Sequence, residues 1–240
     1  MRFVILIVAG ALVGCTGGAS VAALKTQYPI VHYHGPKAPA TVTLEKSRPA
    51  NWVGIHDVSK VAVGAIIVSE DWAFYQHQGF DPKQMQEAFK ENLEEHRYVR
   101  GASTITQQVA RNVFLDKGKT MLRKIKELYI AIRMEKSVGK TKILESYLNI
   151  AEWGEGVFGI RQAAETYFHK NPRDLTAKEG AFLAMLLPSP KRYSQSFRAK
   201  HLTDYAESTV DDILDKMVQA DYISSEERAT EGASKLSFEL

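Results

Sequence analysis

The chain has one cysteine among 240 residues, Cys15, and it sits inside an apolar leader. No disulfide can therefore form within the rest of the chain, which must hold together by packing alone. An excess of one charge sign is also missing. The 31 Lys and Arg against 28 Asp and Glu leave a formal net charge of +3, compatible with an anionic membrane surface or a phosphorylated substrate but far short of a nucleic-acid footprint. There is no internal repeat and no low-complexity tract, which excludes solenoids and disordered linkers as the main content. What remains, at 45% hydrophobic and 25% charged, suffices for one large core, and a single main domain is the simplest reading.

Long apolar runs are confined to the N-terminus. Met1-Arg2 is a short positive region, Phe3 to Val13 is apolar, and the stretch reads on to Leu24 before Lys25 stops it. Two anchors fit: an uncleaved span over residues 3–24, or a lipoprotein signal in which Leu12-Val13-Gly14 precedes Cys15. The span is favoured because its length suits a tilted crossing and only small polar residues interrupt it. In either case the positive end stays inside and the remainder lies outside the cytoplasm.

Residues 25–51 carry Pro29, Pro36, Pro39 and Pro49, with Gly35 and the β-branched run Thr41-Val42-Thr43. They predict an extended stalk with one strand at most. The main domain is expected over 52–198 and a C-terminal helical extension packed on it over 199–240. Asp81-Pro82 reads as an N-cap with proline at N1, opening a helix whose Met85, Phe89 and Leu93 form an apolar stripe. Thr104 with Gln107, and Thr176 with Glu179, have capping-box spacing. Leu122, Ile125, Leu128 and Ile132 mark one further helix, and Ile143, Leu144, Tyr147 and Leu148 the next. Leu202, Ala206, Ile213 and Met217 mark another. The fold class predicted is mainly α.

Two polar blocks interrupt this periodicity: Ser69 to Phe80, and Arg100 to Asn112. In the first, Glu70-Asp71 follows a buried apolar run and neighbours Trp72 and Phe74, surroundings that raise a carboxyl pKa and suit it to proton transfer. Asp71 is equally a helix cap or ion-pair partner by its type, and a lone His77 is more often a hydrogen-bonded packing residue than a ligand. Downstream, Arg123 and Glu127 stand one helical turn apart, with Lys124 and Lys126 beside them. A solvated i,i+4 pair explains that spacing by itself. With Arg111 and Lys119 added, several cations gather near one or two carboxylates, which suits a departing diphosphate.

The two blocks, together with Arg123-Lys124-Ile125-Lys126-Glu127, Ile143 to Asn149 and Glu179 to Ala184, resemble the five ordered motifs of the family 51 peptidoglycan glycosyltransferases, over about Trp52 to Tyr193. A chain stopping at Leu240 leaves no room for a transpeptidase domain, so the monofunctional branch is the nearest likeness, as is the Asn149 to Gly159 stretch. The resemblance implies a lysozyme-like α lobe with a smaller membrane-associated lobe, preceded by an N-terminal membrane anchor. It implies polymerisation of lipid II into β-1,4 glycan strands, with inversion and release of undecaprenyl diphosphate. Glu70 matches the family's general base, and Glu127 its second catalytic glutamate, near the diphosphate and associated with a divalent cation (Mg or Mn). Gln107, Gln108, Arg111, Lys119, Arg123 and Lys124 match its sugar and diphosphate ring. Ser103 and Thr104 match the donor pocket, and Asp71 joins the substrate-contacting set. The implied partners are lipid II, the growing strand, the membrane and cell-wall synthesis proteins, with no nucleic acid; the implied location is the periplasmic face of the cytoplasmic membrane.

The chain departs from the family pattern at Arg111, where many members have lysine, at Lys119, where many have arginine, and at Glu87, where several bifunctional members carry arginine. Lysine and arginine differ in how they hold phosphate. Glu145, Tyr147, Asn149 and Glu179 read as fold-holding. Phe80, Met85 and Phe89, flanked by Lys83, Lys90, Arg97 and Arg100, suit either a membrane dip or a covered core stripe. Two rival functions stay open: a lysozyme-like glycan-cleaving enzyme, which the cations oppose, and an inactive membrane-anchored scaffold.

Overall fold

Two helices with almost no polar side chains lie at the centre of the molecule. The structure is a computed structural model and describes residues 20–94, 101–116, 118 and 120–239, the side chains of Phe89 and Asn92 excepted. The anchor segment before residue 20, Cys15, Arg97, Arg100 and Lys119 lie outside the described residues. The first central helix, α1 (Lys60–Glu70), buries every residue from Ala62 to Val68, as an all-round apolar helix must. It packs against α7 (Ala177–Leu186), which is buried along its whole length. Their close approach depends on Gly180, where an added Cβ would lie 2.5 Å from the Ala62 Cα.

Around this pair run α2 (Pro82–Glu94), α3 (Ile105–Phe114), α4 (Met121–Ser137), α5 (Lys140–Ile150) and α6 (Ile160–Phe168). The short α8 (Pro190–Tyr193) and α9 (Gln195–Ala199) lead to α10 (Asp204–Gln219) and α11 (Ser225–Ala233). The chain is thus mainly α. Asp81 caps α2 through its Oδ1, which accepts from the backbone N–H groups of Lys83 and Gln84. Capping boxes open α3 at Thr104 and Gln107, and α7 at Thr176 and Glu179. No helix among the described residues is long and apolar enough to cross a membrane.

Two expectations need correction. Residues 25–51 are not a spacer: β1 (Tyr28–His32) and β2 (Thr41–Glu45) pair antiparallel, Tyr28 opposite Glu45 and His32 opposite Thr41, and the hairpin packs on α5 and α3. Its prolines fall at the second residue of β1, in the turn and after β2, where no ladder donor is lost in mid-sheet. Tyr28 meets Trp52 edge-on at 5.0 Å, and the Lys142 ammonium caps both rings at 4.1 and 4.7 Å. Leu24, read as the end of the apolar leader, is fully buried within a 3-10 turn, Val21–Lys25, that packs against α4.

In the C-terminal segment, Val210, Ile213, Leu214 and Met217 of α10 are buried against α1 and α7. The chain end is tied in as well, with Phe238 stacked on Phe168 and contacting Phe182 and Phe197.

The second correction concerns the apolar stripes of α2 and α4. Met85 and Leu93 are exposed, and so are Met121, Leu122 and Ile125, at 80%, 58% and 49%. The face that α4 buries runs instead through Glu127, Ile130, Ala131 and Met134, an i, i+3, i+4, i+7 row with a carboxylate in a core position.

A second small sheet, β3 (Glu152–Gly154) with β4 (Val157–Phe158), joins α5 to α6. Tyr167 reaches under it to donate its hydroxyl to the Trp153 carbonyl at 2.8 Å, and burial pushes that phenol up to about 12.

Candidate active site

The two polar blocks lock onto each other. Asp71, fully buried just past the end of α1, accepts from the His77 ring at 2.9 Å and from the Ile105 backbone N–H at 2.8 Å. The Gly79 N–H donates to His77 Nδ1, which puts the ring proton on Nε2, facing Asp71. Thr104 Oγ1 donates to the Gly79 carbonyl at 2.8 Å and accepts from the Gln107 N–H, while the Gln107 side chain accepts from the Thr104 N–H. Gly79 itself has φ +96, and a Cβ there would meet the Ala131 backbone at 2.8 Å.

Of the expected substrate contacts, Asp71, Thr104 and Gln107 are all buried and engaged with protein, where they position the start of α3. The capping-box spacing was the sequence signal for Thr104 and Gln107; the carboxylate-to-N–H cap from Asp71, 34 residues upstream, had none.

What the lock presents is Glu70. Its Oε2 accepts a 2.7 Å hydrogen bond from the Gln108 amide, and the Tyr147 hydroxyl lies 3.5 Å away. Desolvation raises the Glu70 carboxyl above its ordinary value, an effect reinforced by the nearby Asp71 charge and opposed by Gln108, Tyr147 and the Arg111 cation. The Tyr147 phenol is raised well above its usual range by burial and by the Glu70 charge, so it stays protonated and faces the carboxylate as a donor. Tyr147 was read as fold-holding; its ring is buried, yet its hydroxyl belongs to the site. Arg111 sits one turn after Gln108 on α3, half-buried, with no hydrogen bond or ion pair among the described residues.

The second centre is on α4. Glu127 is fully buried and holds Arg123 at 2.7 Å through one oxygen and Lys124 at 2.5 Å through the other. Lys124 also donates to Ser103 Oγ at 2.9 Å, so the residue just before the α3 cap is tied to this centre. Arg123 keeps a buried Nε with no partner. Ser103 precedes the α3 cap and Gln108 is the fourth residue of the helix, so both centres are tied to the start of α3.

A divalent cation was expected at Glu127. The residues there do not fit one resident on the protein: both carboxylate oxygens are engaged by cationic side chains, and a metal would face those two charges at close range. No cluster of three or more His, Cys, Asp or Glu suited to a metal occurs among the described residues. Glu127 fixes the side chains of Arg123 and Lys124. Elsewhere, Glu145 accepts from Trp52 Nε1 and the Ile55 N–H, Asn149 donates to the Val53 carbonyl, and Glu179 caps α7 while pairing with Lys170. Glu87 is exposed on α2.

The chain is 42% identical over 156 residues to a biosynthetic peptidoglycan transglycosylase of Nitrosomonas eutropha, covering 63% of this chain and 64% of that protein. It is 42% identical over 170 residues to a protein of the same name from Klebsiella oxytoca, covering 71% and 69%. Against penicillin-binding protein 1F of Bacillus subtilis it is 42% identical over 178 residues, 74% of this chain but 24% of that one. The chain thus spans a little under two thirds of the Nitrosomonas relative. Residues 37–218 match the family model described as transglycosylase, so the chain belongs to the transglycosylase family.

Proposed function

We propose that the protein is a peptidoglycan glycosyltransferase that polymerises lipid II into β-1,4-linked strands with release of undecaprenyl diphosphate. The observation that carries this reading is the Arg123 and Lys124 pair fixed by buried Glu127 and tethered through Ser103 to the helix that also holds Glu70. A desolvated carboxylate alone would serve a glycan-cleaving enzyme equally well. Two preorganised cations, one with an unpartnered buried Nε–H, serve a reaction that expels a diphosphate.

In this reading the acceptor sugar's 4-hydroxyl gives its proton to Glu70 as its oxygen attacks the donor's anomeric carbon. The new carbon–oxygen bond forms on the β face. The bond to the α-linked diphosphate breaks with its electron pair, and that charge is met by Arg123, Lys124 and Arg111. A single inverting displacement requires the base and the leaving-group cations to lie on opposite sides of the reacting sugars, the role this reading gives to the two centres. Gln108 and Tyr147 hold the carboxylate oxygen in place. Charge neutralisation comes from side chains; no step is assigned to a protein-bound metal.

The relatives' printed names favour this reading over cleavage. Exposed Met121, Leu122 and Ile125 beside Arg123, Lys124 and Lys126 form an apolar and cationic edge suited to an anionic membrane surface. That edge, with α2, is the membrane-facing lobe of this proposal; the larger lobe around α1 and α7 is lysozyme-like, and a lipid-linked donor on the outer face of the cytoplasmic membrane would reach the site there. The test is incubation of the protein with lipid II: long glycan is expected, whereas shortening of preformed strands would establish the cleaving alternative.

A further inference from the structure

A cavity of about 350 Å³ lies between the turn of the β1–β2 hairpin and the end of the α3–α5 layer. It is lined on the hairpin side by Tyr33 and Lys37, and opposite by Asn112, Glu152, Phe158 and Lys191. Asn112 directly follows Arg111 on α3, and Ile150, also in the lining, stands three residues beyond Tyr147 on α5. The same two helices, α3 and α5, thus supply residues both to this cavity and to the group around Glu70.

Its chemistry is that of a sugar site with a charged rim. Tyr33 is 41% exposed, contacts Phe158 at 5.7 Å and lies over Gly156, where a Cβ would come within 3.0 Å of its ring. The Tyr33 ring is thereby fixed yet open to the cavity. A pyranose presents polarised C–H groups to such a ring face, while Asn112 and Glu152 offer partners for hydroxyl and acetamido groups. Lys37 is exposed on the turn with no ion pair among the described residues, and Lys191 pairs with Glu155 at 3.1 Å. Those ammonium groups suit the carboxylates of the stem peptides that the muramyl units bear.

We propose that the hairpin turn is the strand-retaining wall of this cleft, with Tyr33 and Lys37 gripping the glycan beyond the reacting sugars and so setting product length. This rests on the glycosyltransferase reading of the Glu70 site. Strand length in a processive polymerase is the ratio of elongation to release, so a weaker grip raises release and shortens the product.

The test uses the full chain with lipid II and compares glycan lengths at matched lipid II consumption. Tyr33→Ala and Lys37→Glu should each give strands roughly fivefold shorter, since loss of one such contact acts mainly on the release rate. Tyr33→Phe, which keeps the ring, should restore the normal length. Lys37 is exposed on the turn, and an unfolding curve matching the wild type's would show that shortening in Lys37→Glu does not reflect misfolding. Unchanged lengths in both variants would overturn the proposal. A second readout is independent of turnover: titration of a soluble GlcNAc–MurNAc tetrasaccharide into Glu70→Gln protein, with and without Tyr33→Ala. Weaker binding in the double variant supports the grip; equal binding, or none to either, overturns it. If the wild type makes no polymer, the glycosyltransferase reading fails, and the titration still decides the hairpin's role.

Discussion

The Gln108 amide donates a 2.7 Å hydrogen bond to the Glu70 carboxylate, joining the end of α1 to the second turn of α3. That bond couples the base to the helix whose other tether, Ser103, holds Lys124. Base and cations are thus set by one rigid element, the arrangement that keeps reacting groups in register.

The pH profile should report the environment of Glu70. Its carboxyl is raised by burial, and a base works only when ionised, so the acidic limb of kcat/KM should fall at a higher pH than an ordinary glutamate would give. Arg111 lowers that value, so Arg111→Ala should move the limb further up. A limb unmoved by Arg111→Ala would remove the charge coupling between them.

Stability should respond in the opposite sense to activity. A carboxyl whose folded value is raised binds protons more readily folded than unfolded, so its contribution is most favourable at low pH and is lost as pH rises from the unfolded value of 4.5 through the folded one. At neutral pH the buried charge is therefore a cost. Glu70→Gln should melt at a higher temperature than wild type at pH 7, with the difference shrinking towards pH 4.

Glu127→Ala should destabilise the protein by about 1–3 kcal/mol in denaturant unfolding, below the figure for a fully buried pair because Lys124 is 40% exposed. It should also lower kcat, since Arg123 and Lys124 lose the group that aims them. Added Mg or Mn should not rescue it, whereas a metal requirement located at this carboxylate predicts altered metal dependence.

Gly180→Ala places a Cβ against the backbone of α1. Forced separation of α1 and α7 should cost about 1–3 kcal/mol, read as a lower urea midpoint with an unchanged slope. An unchanged midpoint would mean the pair of helices can slide apart freely.

Much of the fold was legible where local chemistry decides it. Both capping boxes, the Asp81 cap and the apolar runs of α1 and α7 follow from spacing and composition. Periodicity failed where it had to choose a side. Leu122 and Ile125 mark a helix correctly, yet they face outward because the core face of α4 contains Glu127, and no pattern that scores apolar residues selects a face with a carboxylate in it. The β1–β2 hairpin was missed because four prolines within 25–51 mask its two short strands, and its stability comes from Trp52, Lys142 and α5, far along the chain. At the site, Glu70 is held by Gln108 beside Arg111, and Glu127 holds Arg123 and Lys124, while Asp71, Thr104 and Gln107 carry similar chemistry turned inward. Only tertiary hydrogen bonds separate those two groups.

The most direct measurement is strand formation from lipid II by the wild type and Glu70→Gln, with unfolding curves run alongside. The account predicts long glycan and released undecaprenyl diphosphate from the wild type, and a loss of roughly 10²–10⁴-fold in the folded variant, the usual contribution of a general base. Strand formation by Glu70→Gln at the wild-type rate would contradict it.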